Sequence, residues 1–412
     1  MPLDDQATPP GPEASGPGFR FILLLGLLDA FGPLGIDMYL PAFPAIERDL
    51  AAPAGAMQLT LSLFLAGLAV GQLICGPISD RIGRRRPLLI GSAAFAIASV
   101  VCAFTRSIEA LILARFAMGL AGATGMVIAR AVVRDSFEEA DSSRIYSLLM
   151  LVIGIAPILS PTIGNALMSV AGWGSIFWAL AAFAGACGAA VAVDLPETHP
   201  PARRSRDSFS AIGRRYAEMI VDRRFMGYAL PVGLALGSIF AYVASAPSLF
   251  MQRYGLSANA FSLLFALNAV GLIGSAQVNR RLTRSYDTHA ILRAATLVNA
   301  SASVLLPVLA WSGAGGFVGF FADVFVCLAT LGLILPNATA AAMAPFPDRA
   351  GAASALLGTL QFAIGAATGA LVGIFHDGTG LPMALTIAAC GAGALGIARL
   401  AGERGPALAF EG

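Results

Sequence analysis

The chain lacks lysine altogether: its 26 basic residues are all arginine, against 24 acids, and charged residues make up only 12% of its 412 positions. Ordinary soluble domains carry about a quarter, which excludes a water-soluble enzyme. A net charge of +2 leaves no basic footprint, so no nucleic-acid partner is expected. The use of arginine alone speaks of genome composition, not of mechanism. Cysteine is scarce: Cys75, Cys102, Cys187, Cys327 and Cys390 each lie inside an apolar run without a CxxC pair, which excludes a disulfide framework and a zinc ribbon. The three histidines, His199, His289 and His376, have no ligand-spaced partners, so no metal is expected. There is no GxxxxGK[ST] loop, HExxH or Gly-x-Ser-x-Gly elbow. ATP-driven transport and membrane-embedded catalysis are therefore not expected, nor is any cofactor.

What the chain has is apolar length, with 57% apolar residues and a mean hydropathy of +0.77. The runs are continuous and rich in Ala, Leu and Gly, whereas a β-barrel would alternate polarity in ten-residue stretches. Twelve spans are predicted, at about 20–42, 56–79, 87–106, 108–132, 145–170 and 173–194, then 225–250, 258–280, 289–311, 314–344, 350–375 and 380–401. The fold class is thus an all-α membrane protein of twelve transmembrane helices in two six-helix bundles, at 20–194 and 225–401, joined by a linker at 195–224. Residues 1–19, rich in Pro and Gly with Asp4, Asp5 and Glu13, lack the order of a signal peptide and are expected to be a disordered cytoplasmic tail, with a second tail at 402–412.

Arginine placement orients the spans. The even connections hold Arg81, Arg84, Arg85 and Arg86, then Arg203, Arg204, Arg206, Arg214, Arg215, Arg223 and Arg224, then Arg280, Arg281 and Arg284. The odd connections hold only Arg48, Arg106 and Arg253. Both termini are expected in the cytoplasm of a bacterium, with the chain in its inner membrane. The stretch from Arg203 to Arg224, with Phe209, Ile212, Tyr216, Met219 and Ile220, reads as an amphipathic interfacial helix, or more plainly as a tether. Six plus six about a basic loop is the layout of secondary transporters built from two parallel halves.

Four stretches carry mechanism. Gly76-Pro77-Ile78-Ser79-Asp80-Arg81-Ile82-Gly83-Arg84-Arg85-Arg86-Pro87 joins spans two and three. Gly76 and Gly83 permit close approach and a tight turn, and Asp80 suits a helix N-terminus. The plain reading is an anchor; two glycines and an acid favour a gate. Its counterpart from Gly274 to Leu282 has Val278 in place of the acid, so the gate is expected to be asymmetric. Leu111-Ile112-Leu113-Ala114-Arg115-Phe116-Ala117-Met118-Gly119 sets Arg115 inside an apolar helix, either snorkelling to the surface or paired with an acid of span one. Gly154-Ile155-Ala156-Pro157-Ile158-Leu159-Ser160-Pro161-Thr162-Ile163-Gly164 combines helix-breaking Pro157 and Pro161 with small residues at Gly154 and Gly164, which lets a kinked helix pack tightly against its neighbour. Span one holds Asp29 and Asp37, eight residues apart and broadly on one face.

The first of these stretches is similar to the cytoplasmic loop signature of the major facilitator superfamily, the second to its fourth-span motif, and the third to the fifth-span motif of its drug/proton antiporters. Gly35-Ile36-Asp37-Met38-Tyr39-Leu40-Pro41-Ala42-Phe43-Pro44 resembles the bicyclomycin-resistance (Bcr/CflA-type) branch, as do Leu335 to Ala340, Ala350 to Gly358 and Phe265 to Ala269. The resemblance implies proton-coupled efflux of lipophilic drug-like small molecules by alternating access, with an acid of span one taking a proton or a substrate in turn. It places Asp37, Asp29 and Arg115 in proton coupling, and Gly76, Asp80, Arg81, Gly83 and Arg84 in gating. Gly154, Pro157, Pro161 and Gly164 form the antiporter helix. Substrate contacts are expected from the polar and aromatic residues near mid-membrane: Phe31, Tyr39, Tyr242, Asn268, Asn337 and Gln361. Each of these has a structural alternative, Asn337 beside Pro336 as a backbone partner and the aromatics as helix packing. The expected partners are a small-molecule substrate, protons and the lipid bilayer, and the chain is expected to be a monomer. A narrow-specificity metabolite exporter or an uptake permease of the same fold is the alternative.

Overall fold

The computed structural model describes residues 19–137, 139–205, 207–346 and 349–402, without the side chains of 19, 139–144, 146–153, 209, 401 and 402. The described residues are helical with short connections. The tails expected at 1–19 and 402–412 lie outside them, save for Phe19 and Gly402, which are helical.

The first predicted span is broken. It runs as α1 (Phe19–Asp29), α2 (Phe31–Asp37), a 3-10 turn (Leu40–Ala42) and α3 (Phe43–Asp49), with a 46° bend after Asp29. Proline explains both breaks. Pro33 and Pro41 have no N–H to give to the carbonyl four residues back, which is that of Asp29 and of Asp37 respectively. Each acid of this span therefore sits where the helical ladder is interrupted.

The rest of the first half is α4 (Ala56–Ile82), α5 (Arg85–Phe104), α6 (Ile108–Ser136), α7 (Glu139–Ala171) and α8 (Gly174–Asp194). A linker helix, α9 (Phe209–Val221), precedes the second half, which comprises α10 (Arg223–Pro247) running into a π segment (Ser248–Arg253), α11 (Ala258–Leu282), α12 (Thr288–Ser312), α13 (Gly316–Met343), α14 (Ala350–Ile374) and α15 (Leu381–Gly402). Among the described residues eleven helices are long and apolar enough to cross a membrane, and the bent first pair makes a twelfth. Side chains legible in the sequence start several helices by accepting the first free N–H groups. Ser107 caps α6, Ser208 α9, Asp222 α10, Ser257 α11 and Asp287 α12.

Small residues set the closest crossings. A Cβ added to Gly119 of α6 would sit 2.0 Å from the carbonyl oxygen of Phe64 on α4, and one on Gly332 of α13 would sit 2.2 Å from that of Leu272 on α11. Each half thus clamps its second helix to its fourth through backbone contact. Between halves, α4 packs along α14 and α7 along α11. At the end away from the arginine-rich loop, Gln58 donates to Ser248 at 3.1 Å, Gln252 to Glu47 at 2.6 Å, and Asn165 to Asn259 at 2.5 Å. Asn165 therefore ties the halves together. The tight contact of this stretch is one residue earlier, where a Cβ on Gly164 would fall 1.8 Å from the carbonyl oxygen of Met38.

Candidate functional site

Asp37 closes α2 at 4% exposure and makes no hydrogen bond or ion pair among the described residues. It lies within electrostatic range of the Tyr242 phenol on α10. The Tyr242 hydroxyl in turn accepts a 2.7 Å bond from Nδ2 of Asn268 on α11, and its ring stacks on Phe265 with centroids 6.0 Å apart. An uncompensated acid of the first half therefore lies within electrostatic range of a phenol of the second, which Asn268 holds in place. Three residues far apart in sequence, Asp37, Tyr242 and Asn268, form this constellation.

Arg115 does not pair with Asp29 or Asp37, contrary to the expectation from sequence. It is fully buried, so it does not snorkel either. One guanidinium nitrogen donates to the carbonyl oxygen of Gly35 at 2.8 Å, and the plane lies 4.1 Å from the ring centroids of both Tyr39 and Phe64. A sandwich between two rings and a freed carbonyl replaces a carboxylate; each desolvated cation–π contact contributes about 2 kcal/mol. The acid with a cation is Asp29, completely buried, whose Oδ1 lies 3.5 Å from Arg130 of α6. The signal for Arg130 was in the sequence, as an arginine near the end of an apolar run.

The expected substrate contacts divide. Tyr242 and Asn268 lie at the Asp37 site. Phe31 is enclosed by Phe95 and Phe183, at 4.8 and 5.6 Å, within the first half. Tyr39 packs on Phe43, Phe177 and Arg115 and bonds Thr60 at 3.1 Å. Asn337 pairs with Asn279 by 2.7 and 3.3 Å bonds and donates to the Leu333 carbonyl, which makes it a strut between α13 and α11. For Phe31, Tyr39 and Asn337 the structural alternative describes the contacts. Gln361 is half-buried on α14. A cavity of about 190 Å³ near the α10–π junction, lined by Ser245, Ser248, Gln252, Arg253 and His376 among others, does not include Asp37.

The arginine-rich loop forms a second constellation. Asp80 lies in the last turn of α4, not at a helix N-terminus, and accepts from Arg84 at 2.5 Å. Arg84, 1% exposed, also reaches Asp135 of α6 at 2.8 Å and the hydroxyl of Ser79 at 2.7 Å. Burial opposes its charge, but bonds and attraction from Asp135 and Asp80 outweigh that and hold its pKa above the usual arginine value. Gly83, at φ +98°, turns the chain where a Cβ would strike the Glu197 carboxylate. Glu197 accepts the backbone N–H of Arg84 at 2.8 Å and of His199 at 3.0 Å, and Arg81 donates to the Asp207 carbonyl. The loop thus grips the linker. Asp135 and Glu197 were not singled out from sequence, and His199 was named there only as lacking a metal partner, since only folding brings them to this loop. Two expected close approaches are absent among the described residues, where added Cβ atoms on Gly76 and Gly154 would meet Val127 at 3.8 Å and Ile273 at 3.6 Å.

Residues 25–370 match the Major Facilitator Superfamily. The chain belongs to that superfamily. It is a membrane transporter with the major facilitator fold, and not an enzyme. It is 38% identical to an uncharacterized MFS-type transporter, YdgK, of Bacillus subtilis, over 87% of this chain and 90% of the relative. It is 31% identical to a bicyclomycin resistance protein homolog of Haemophilus influenzae, over 90% and 93%. The crystal structure of the human organic anion transporter MFSD10 (TETRAN) matches with a TM-score of 0.64, at 19% identity, over 93% of this chain and 98% of that one, and shows the shared fold. The Gly-Pro-rich α7 and the buried Arg115 are thus elements of a two-half transporter.

Proposed function

We propose that this protein exports lipophilic drug-like small molecules in exchange for protons, by rocking of its two halves about the Asp37 site. The observation that carries the reading is the buried carboxyl of Asp37 without a counter-ion, within electrostatic range of the Asn268-bonded Tyr242 of the other half. An acid in such a place is neutral with a proton bound or is compensated by a cationic ligand, which makes the two occupants mutually exclusive. The 31% identity to a bicyclomycin resistance homolog supports a drug as cargo. Arginine placement supports a bacterial inner-membrane location with both termini in the cytoplasm.

The test is ethidium transport in proteoliposomes driven by an imposed pH gradient. Wild type is expected to move the dye against its gradient, and Asp37→Asn to lose the pH-driven component while inserting normally. Full pH-driven transport by Asp37→Asn would remove Asp37 from coupling. A cytoplasm-dependent reporter fused after residue 205 is expected to be active, and silence there would reverse the orientation.

A further inference from the structure

Asp323 on α13 has no place in the account above. It is nine-tenths buried, its Oδ2 has no hydrogen-bond partner, and no cation lies within ion-pair distance of it among the described residues. It stands seven residues after Gly316, about 10 Å into the helix, just as Arg115 stands seven residues after Ile108 on α6. The fourth helix of each half therefore carries a buried charged residue type at the same register. In the first half it is an arginine held by a carbonyl and two rings; in the second it is an acid with neither.

We infer that Asp323 is a second proton-binding carboxyl, housed within the second half and separate from the acids of the first span. At its own end of the second half the charged side chains are Arg253 of the π segment, whose Phe250 packs on Phe317 and Phe321 of α13, and His376 and Asp377 of the loop before α15. Those of the surrounding helices lie toward the arginine-rich end: Arg223 and Arg224 of α10, Arg280 and Arg281 of α11, His289 and Arg293 of α12, and Arg399 of α15. The other ionisable groups in its own third of the bundle are Cys327 one turn along α13, Tyr242 of α10 and Cys390 of α15. None of these can supply a positive charge, and neither Arg253 nor His376 forms an ion pair with Asp323 among the described residues. An ionised carboxylate here would be uncompensated in a low-dielectric interior, a state that costs several kcal/mol even after relaxation, and the group takes up a proton instead.

The surroundings suit a neutral, hydrogen-bonding acid. Asn299 of α12 donates to the Cys327 carbonyl at 2.8 Å and to Thr330 at 2.9 Å, and Ser303 lies 3.8 Å from the Cys327 sulfur. Gly391 of α15 comes so near that an added Cβ would fall 2.6 Å from the Ser303 hydroxyl. A seam of neutral polar groups thus joins α12, α13 and α15 beside the carboxyl, at helix spacings that only small residues allow. The inference does not depend on Asp37 acting as the coupling acid.

The experiment is infrared difference spectroscopy of the full chain in liposomes across a pH titration without substrate, reading the protonated-carboxyl band. The Asp29→Asn/Asp37→Asn double variant is expected to retain one titrating carboxyl band, and adding Asp323→Asn to abolish it. Asp323→Glu is expected to move the band rather than remove it, which provides a second reading should the Asn variant not fold. An unchanged carboxyl band in a folded Asp323→Asn variant, or no band shift in Asp323→Glu, would overturn the inference. Failure of Asp37→Asn in ethidium transport alone would bear only on the proposed coupling.

Discussion

Nε of Arg84 lies 2.8 Å from Oδ2 of Asp135, and this one bond fastens the loop after α4 to the end of α6. Asp80 and Ser79 share the same guanidinium, so a single buried cation organises three acceptors on two helices. His199 of the linker approaches the same Oδ2 of Asp135 with its Nδ1, at 3.6 Å.

Truncation of that cation should be costly. Arg84→Ala removes the guanidinium from Asp135, which is 12% exposed, and from Asp80, which at 41% exposure is screened by water; the loss should therefore fall below the roughly 3–5 kcal/mol of a fully buried pair. Arg84→Lys should recover only part, because an ammonium cannot span acceptors on both sides as a guanidinium does. Thermal unfolding of the purified variants in detergent checks both.

Gly83→Ala should destabilise the same loop by roughly 1–3 kcal/mol, since φ +98° is reserved for glycine. Its Cβ also meets the Glu197 carboxylate. Shortening the acid with Glu197→Ala should relieve the collision but not the backbone strain, so the double variant should be more stable than the sum of the single effects predicts.

Asp29 and Arg130 should behave as a coupled pair. Arg130→Gln leaves a fully buried carboxylate without its cation, and Asp29→Asn in the same chain should restore part of the loss. A double-mutant cycle on unfolding is expected to show coupling of about 1 kcal/mol or more; additivity would mean that the 3.5 Å approach contributes nothing.

Two glycines of the signature stretches should differ in tolerance. Gly119→Ala drives a methyl into the Phe64 carbonyl at 2.0 Å, and overpacking of that kind costs roughly 1–3 kcal/mol. Gly154→Ala places its methyl 3.6 Å from Ile273, in ordinary contact, and should leave stability and ethidium transport near wild type.

The linker helix should loosen in alkali. Burial, and then the charge of Asp80, raise the pKa of Tyr216, whose hydroxyl donates to the Leu73 carbonyl at 3.4 Å. A raised folded pKa means that docking is fully stabilised below the ordinary tyrosine value of about 10 and weakens as pH rises through the folded value. Hydrogen exchange of α9 amides from pH 9 to 11 should accelerate beyond base catalysis in wild type but not in Tyr216→Phe.

The sequence by itself determined the spans, the break from one half to the next, the capped helix starts and the identity of the acids in span one, because each follows from composition or from contacts within one helical turn. It also marked Arg84, Gly83 and Gly119, whose residue types suit few other purposes in such places. Asp323 was equally visible under the rule that intramembrane acids are functional. Only the tertiary structure decided who meets whom. Arg115 chose the Gly35 carbonyl over an acid because Pro33 and Pro41 break span one and two rings close around the guanidinium. Asn337 became a strut because α11 presents Asn279 to it, while Tyr242, bonded to Asn268, came within electrostatic range of Asp37. Those choices depend on the crossing of helices from distant parts of the chain, at distances set by glycine, and nothing local in the sequence encodes them.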